Sequence, residues 1–124
     1  MIVNLTQHPA TPEQLAAGVV DLPVDERAKL CKLLTFDTLP TFDEIEDVAL
    51  AIALLANSVV PEVDDQYAMI GGAPWLMSAL AIALREQCIN PIYAFSVRES
   101  VEQTQPDGSV RKINVFRHVG FVHT

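Results

Sequence analysis

Three features of this 124-residue chain predict an α/β fold: a Rossmann-like, mainly parallel sheet with flanking helices and a C-terminal antiparallel β-hairpin. β-type and helical runs alternate through residues 1–96, the pattern of a sheet built by helical crossovers. The run INPIYAFS (89–96) is apolar on both faces, as strands in the middle of a parallel sheet are. QPDGS (105–109) separates two β-rich arms, and Pro-Asp-Gly in that setting is a hairpin turn. The length fits a single domain over 1–124, with a core at 1–96 and a hairpin at 97–122. Half of the residues are apolar, enough to form a core without covalent staples.

The elements follow in order. MIVNLT (1–6) is a short strand. Thr11, Pro12 and Gln14 make a capping box with proline at the first helical position, and Gly18 closes that short helix. VVDLP (19–23) is a second strand ended by Pro23. Residues 25–36 are helical, with Leu30, Leu33 and Leu34 on one face. A second capping box, Thr41 with Glu44, opens a helix over 41–60 whose apolar stripe is Ile45, Val48, Ile52, Leu55 and Val59. Asp43, Glu44, Glu46 and Asp47 in its first turns offset the helix dipole on a solvated face. Residues 61–66 are a polar connector, and YAMIGG (67–72) is a buried strand ending in a glycine turn. The helix at 74–88 is apolar almost all round its first three turns, so it is covered on more than one side, a partner subunit being one cover. In the hairpin, Glu99 and Glu102 on one arm face Arg111 and Lys112 on the other, which suits cross-strand pairing.

Composition narrows function. The formal charge is −8 and the isoelectric point about 4.6, unsuited to a general binder of duplex nucleic acid. A small anionic ligand remains compatible, because a local pocket carries its own field. Cys31 and Cys88 lie in apolar helical patterns and read as reduced core cysteines. No Cys/His spacing points to a metal, and no cofactor motif is visible: Gly71-Gly72 matches neither G-x-G-x-x-G nor a P-loop. The longest apolar run, VALAIALLA (48–56), is too short to span a bilayer, and MIVNLTQH lacks a basic n-region. A cytoplasmic protein is the expectation.

The most pointed stretch is AMIGGAPWLM (68–77), which reads as strand, tight turn and helix. Ligands of open α/β sheets sit beyond the carboxyl ends of the strands, at a switch in strand order. That rule collects Thr6, Gln7 and His8 after the first strand, Gly71, Gly72 and Ala73 after the 67–72 strand, and Ser96 and Arg98 after the 89–96 strand. Glycine lets backbone N–H groups approach an anion, and a helix start adds free donors. Arg98 suits bidentate pairing with a phosphate, and histidine at position 8 suits proton movement. Each also has a plain structural reading. The glycines can be a corner, Arg98 can answer Glu99 or Glu102, and Trp75 can belong to core or interface. Arg117 and His118 read as hairpin surface.

VNLTQHPATPEQL, followed by VVDLP, the MIGG-P turn and a late P-Y-F strand, resembles the small Rossmann-like ancillary proteins of type III CRISPR systems. The resemblance implies binding of a cyclic oligoadenylate, usually by a symmetric dimer, and in some members its cleavage as a metal-independent ring nuclease. It implies that Thr6, Gln7, His8, Gly71 and Gly72 face the ligand. In ring cleavage the substrate's own 2′-hydroxyl would be the nucleophile, with His8 or Arg98 serving the catalytic step. Two other functions fit the residues: a binder of a mononucleotide or phosphorylated metabolite, and a non-enzymatic oligomeric assembly protein of phage or plasmid origin.

Overall fold

The computed structural model describes residues 1–61 and 65–124; the connector expected at 61–66 falls largely outside them. The elements are β1 (Ile2–Asn4), α1 (Pro12–Ala16), β2 (Val19–Asp21), α2 (Val24–Leu34), α3 (Phe42–Val59), β3 (Gln66–Met69), α4 (Pro74–Glu86), β4 (Ile89–Thr104) and β5 (Val110–His123). They form one five-stranded sheet in the order β2-β1-β3-β4-β5. β1 runs parallel to both β2 and β3, β3 parallel to β4, and β5 closes the edge antiparallel to β4. The mainly parallel α/β sheet with flanking helices and a C-terminal hairpin is therefore the observed architecture.

Strand alternation sorts side chains between two unequal faces. One face carries Val3, Leu5, Ala68, Ile70 and Ile89 and packs against Leu30 of α2, Ile52 of α3 and Leu76, Leu80 and Leu84 of α4 in a single core cluster. The other face carries Val19, Met69 and Ile92, with Ala10 and the ring of Phe121 over them. The stripe expected on α3 is only partly the buried one. Ile52 is fully buried, but its companions at the deepest positions are Ala49, Ala53 and Ala56. Small side chains there let α3 lie close against α4, whose Ala81 and Ala83 are also buried. Thr11 caps α1 with both halves of the capping box formed, and Gly18 takes φ +102° just beyond it. Thr41 caps α3 by accepting from the Glu44 amide.

Two expectations are corrected. The strand expected to end at Ser96 continues without a break to Thr104, so core and hairpin share one long strand. From Ile92 to Thr104 there is no glycine or proline to stop it. The only irregularity lies opposite: Phe95 faces Gly120 and Ser96 faces His118, leaving Val119 as a bulge. The bulge is pinned from α1, where Glu13 Oε2 accepts from the His118 amide at 3.1 Å. Second, Cys88 is exposed, not in the core, and Cys31 is half-buried. α4 ends at Glu86, and Cys88 makes the turn into β4 at φ +59°.

The hairpin turn sets the register of its arms. Gln105 donates to Ser109 O at 2.7 Å and Gly108 to Gln105 O at 2.9 Å. This places Glu102 opposite Lys112 but Arg111 opposite Gln103 and Glu99 opposite Val115. Glu99 pairs diagonally instead, with Arg117 Nε at 3.3 Å. Asp107 accepts from the Ser109 hydroxyl at 2.6 Å and the Ser109 amide at 2.9 Å. Those two bonds hold its carboxyl below the usual aspartate value, the hydroxyl contributing most. Among the described residues no helix is long and apolar enough to cross a membrane.

A lowered pKa means that the bonds of Asp107 are intact above the ordinary aspartate range and are lost as pH falls through the folded value. The amide protection factor of Ser109, measured by hydrogen exchange, is expected to fall on acidification through that window. In Asp107→Ala it is expected to be low at every pH.

Candidate functional site

The site is organised by a buried asparagine. Asn4 is the last residue of β1 and is fully buried. Its Oδ1 accepts from the Thr6 amide at 2.9 Å and lies 2.7 Å from the Thr6 hydroxyl. Its Nδ2 donates to His8 O and to Asp21 Oδ1, both at 2.8 Å. The side-chain amide thus meets its full complement of two donors and two acceptors. The reverse orientation would set Oδ1 against a carbonyl and a carboxylate. Asp21, at the end of β2, passes the order on by accepting from the Ala10 amide at 3.0 Å. Arg27 of α2 lies 3.8 Å from the same carboxylate and donates to Gln7 O at 3.1 Å. The segment 6–10 is therefore held from β1, β2 and α2 together.

The second wall follows β3. The sheet ladder extends one residue beyond the strands, since Leu5 donates to Met69 O and Ile70 to Ile92 O, each at 2.9 Å. The chain then turns at Gly71 and Gly72, and the two glycines differ. Gly72 sits at φ +142°, where a side chain is strained. A Cβ on Gly71 would meet only the Thr6 methyl, at 3.7 Å, an ordinary contact. Gly72 is the corner, and Gly71 keeps the wall low beside Thr6.

Between these walls lies a cavity of about 440 Å³. Its polar rim is Thr6, Gln7, His8, Thr11 and Gln14; Met69, Ile70, Tyr93 and Ala94 give it an apolar floor, and Gly71 and Gly72 close it. Among the described residues no lysine, arginine or carboxylate lines it. The strand order places it between the segments that follow β1 and β3, where the chain's progress across the sheet reverses, the switch point at which such sheets bind ligands. Among the described residues, the backbone amides of Gln7, His8, Gly71 and Gly72 have no hydrogen-bond acceptor, nor has the His8 ring a partner. Thr11 and Gln14 are occupied in capping α1, through Thr11 N to Gln14 Oε1 at 3.0 Å and Gln14 N to Thr11 Oγ1 at 3.2 Å. Such a neutral, amide-rich rim can accept an anion without a fixed cation.

Of the residues collected by sequence, Thr6, Gln7, His8, Gly71 and Gly72 line this one cavity. Ala73 lies beside it, packed on the main core. Ser96 and Arg98 do not line it. They lie four and six residues beyond Ile92, where β4 leaves β3, or about 13 and 20 Å of extended strand. Arg98 rests instead over the Phe116 ring, 5.6 Å from its centroid. Trp75 packs edge-on against Phe36 at 4.7 Å and stays half exposed. Asn4, Asp21, Arg27 and Tyr93 were not anticipated. An asparagine ending an apolar strand, before a Thr-x-His-Pro turn, was the available signal for Asn4. Among the described residues no three His, Cys, Asp or Glu side chains gather to hold a metal ion.

Fold and cavity together define a small Rossmann-like domain with a ligand-sized opening at its topological switch point. A family model described as Uncharacterized protein MJ1673 family matches residues 1–122. The chain belongs to that family. No curated protein and no solved structure matches it.

Asn4→Ala is expected to destabilise the fold by about 2–4 kcal/mol, because it removes a fully buried, fully bonded side-chain amide and leaves the half-buried Thr6 amide without its acceptor; urea denaturation measures this. Gly72→Ala is expected to cost about 1–2 kcal/mol through its positive φ, and Gly71→Ala less than about 0.5 kcal/mol.

Proposed function

We propose that the cavity binds the phosphate-bearing face of a small nucleotide. The observation that carries this is that Gln7, His8, Gly71 and Gly72, whose backbone amides have no acceptor among the described residues, all line one cavity at the switch point. Backbone N–H groups of this kind are anion ligands that need no lysine. The resemblance of the N-terminal motif names a cyclic oligoadenylate as the nucleotide, bound in the cytoplasm in antiviral signalling. A homodimer is the form in which a ring would be shared between two such edges.

The same site suits cleavage of the ring. Amides on a phosphate stabilise charge as it develops at phosphorus, and positioning alone aligns a substrate 2′-hydroxyl for attack. The bond that forms joins the 2′-oxygen to phosphorus, and the bond that breaks is phosphorus to the 5′-oxygen. The result is a 2′,3′-cyclic phosphate and a 5′-hydroxyl. The His8 ring, which lines the cavity and has no partner among the described residues, is the group that would move the proton. One observation favours a second reading, a mononucleotide or phosphorylated metabolite. A cavity of about 440 Å³ is itself the size that encloses one small ligand.

Calorimetry with cyclic tri-, tetra- and hexa-adenylate, beside AMP and ATP, separates these readings. A cyclic ligand bound once per dimer, with product on chromatography that is lost in His8→Ala, is the expected result. Binding of AMP or ATP once per chain moves the assignment to the second reading. Binding of none of them overturns both.

A further inference from the structure

Among the described residues no lysine or arginine lines the cavity, while the hairpin carries Arg98, Arg111 and Lys112 without an ion-pair partner. β4 pairs with β3 only as far as Ile92. Beyond that point β4 and β5 form a two-stranded ribbon running past the sheet edge that bears the cavity. From Tyr93 to Thr104 this ribbon is about 40 Å of extended chain. A lone two-stranded ribbon is marginally stable in water, and this one exposes large apolar groups. Phe95, Val101, Val110, Phe116 and Val119 are all exposed, Phe116 at 69%.

The carboxyl edge of the same molecule has a matching surface. Leu39 and Phe42 are exposed at 94% and 74%, and Trp75 is half exposed. Leu39 and Trp75 line a mainly apolar hollow of about 320 Å³ together with Phe36, Pro40 and Ile45. The charges match as well. β5 bears Arg111, Lys112 and Arg117 and no carboxylate, whereas the start of α3 bears Asp43, Glu44, Glu46 and Asp47 and no base. Among the described residues Arg98, Arg111 and Lys112 have no ion-pair partner. A chain's own hairpin leads away from its cavity, but a two-fold axis across the edge turns each hairpin over the other copy.

We propose that this edge is closed by the hairpin of a second copy of the chain. The partner hairpin seats its apolar side chains on the Leu39–Phe42–Trp75 surface. Its Arg111 and Lys112 meet the acidic start of α3, and Arg98 comes to the mouth of the cavity. The ligand-facing part of this rests on the anion reading of the cavity; the dimer does not.

Sedimentation equilibrium of the full chain tests the dimer. The expected species is a dimer, weakened at least tenfold by Phe116→Glu and by the exposed double change Arg111→Glu/Lys112→Glu. The double change is expected to be rescued by Asp43→Lys/Asp47→Lys. Trp75 is the single tryptophan, so its emission should shift to the red on dilution through dissociation. A chain that stays monomeric at 100 µM overturns the proposal. So does a dimer indifferent to both hairpin variants, or a Trp75 emission that ignores dissociation. Mixing Gly71→Glu with Arg98→Ala chains tests the shared site. Cyclic tetra-adenylate binding, lost in each variant alone, is expected to return in the mixture through the mixed dimers, about half of all dimers, each of which sets one intact cavity against one intact Arg98; no recovery overturns the supply of Arg98 from the partner. If wild type binds no cyclic adenylate, the cavity reading and the role given to Arg98 fall together, and sedimentation and Trp75 still decide the dimer.

Discussion

The structure of the sheet's carboxyl edge depends on one saturated side chain, Asn4. It ends β1, a strand flanked on both sides, where the chain must leave the ladder and still keep its polar groups paired. A hydrophobic residue there would leave the Thr6 amide without its acceptor and take one donor from Asp21 Oδ1, which the Ala10 amide would still reach. The same four contacts fix where His8 leaves the sheet and where β2 ends relative to β1. The geometry of the rim is thus decided in the core beneath it and passed outward by Asp21 to the Ala10 amide. A rim set this way is rigid before any ligand arrives, which is the condition under which backbone amides are useful donors.

The sheet is covered unevenly, and this follows from connection handedness. Crossovers from β2 to β3 and from β3 to β4 travel in one direction, so right-handed connections put α2, α3 and α4 on one face. The crossover from β1 to β2 travels the other way, and its α1 is only five residues long. The reversal that creates the switch point is therefore the same event that leaves the second face thinly covered. Glu13 partly makes up for the short helix by reaching across to the His118 amide at the β5 bulge.

Much of this was legible in the sequence because the signals were local. Alternating periodicities gave the elements, Pro-Asp-Gly gave the turn, and the carboxyl-edge rule collected five residues that line one cavity. What escaped depends on distances in space. The partners of Asn4 lie up to seventeen residues away, and its place at the end of an apolar strand before a turn marks the position without naming those partners. Ser96 and Arg98 were drawn to the edge by assuming that β4 stops where its neighbours stop. A strand bonded to a long antiparallel partner has no such reason to stop. The alanine face of α3 was missed for a related reason. Periodicity marks large apolar residues as the core, while close helix packing puts small ones deepest.

The sequence separation of the strand pairs has a consequence for how the chain folds. β1 finds one neighbour, β2, close by in sequence, pairing Ile2 with Val19, yet its register with β3 joins Ile2 to Tyr67. Its second seat depends on a contact between residues far apart along the chain. The β4–β5 ladder, by contrast, closes across a turn from Thr104 to Val110. Local contacts form early and distant ones late. The β4–β5 hairpin therefore has the most local topology, and β1 is joined to β3 only when a distant contact closes.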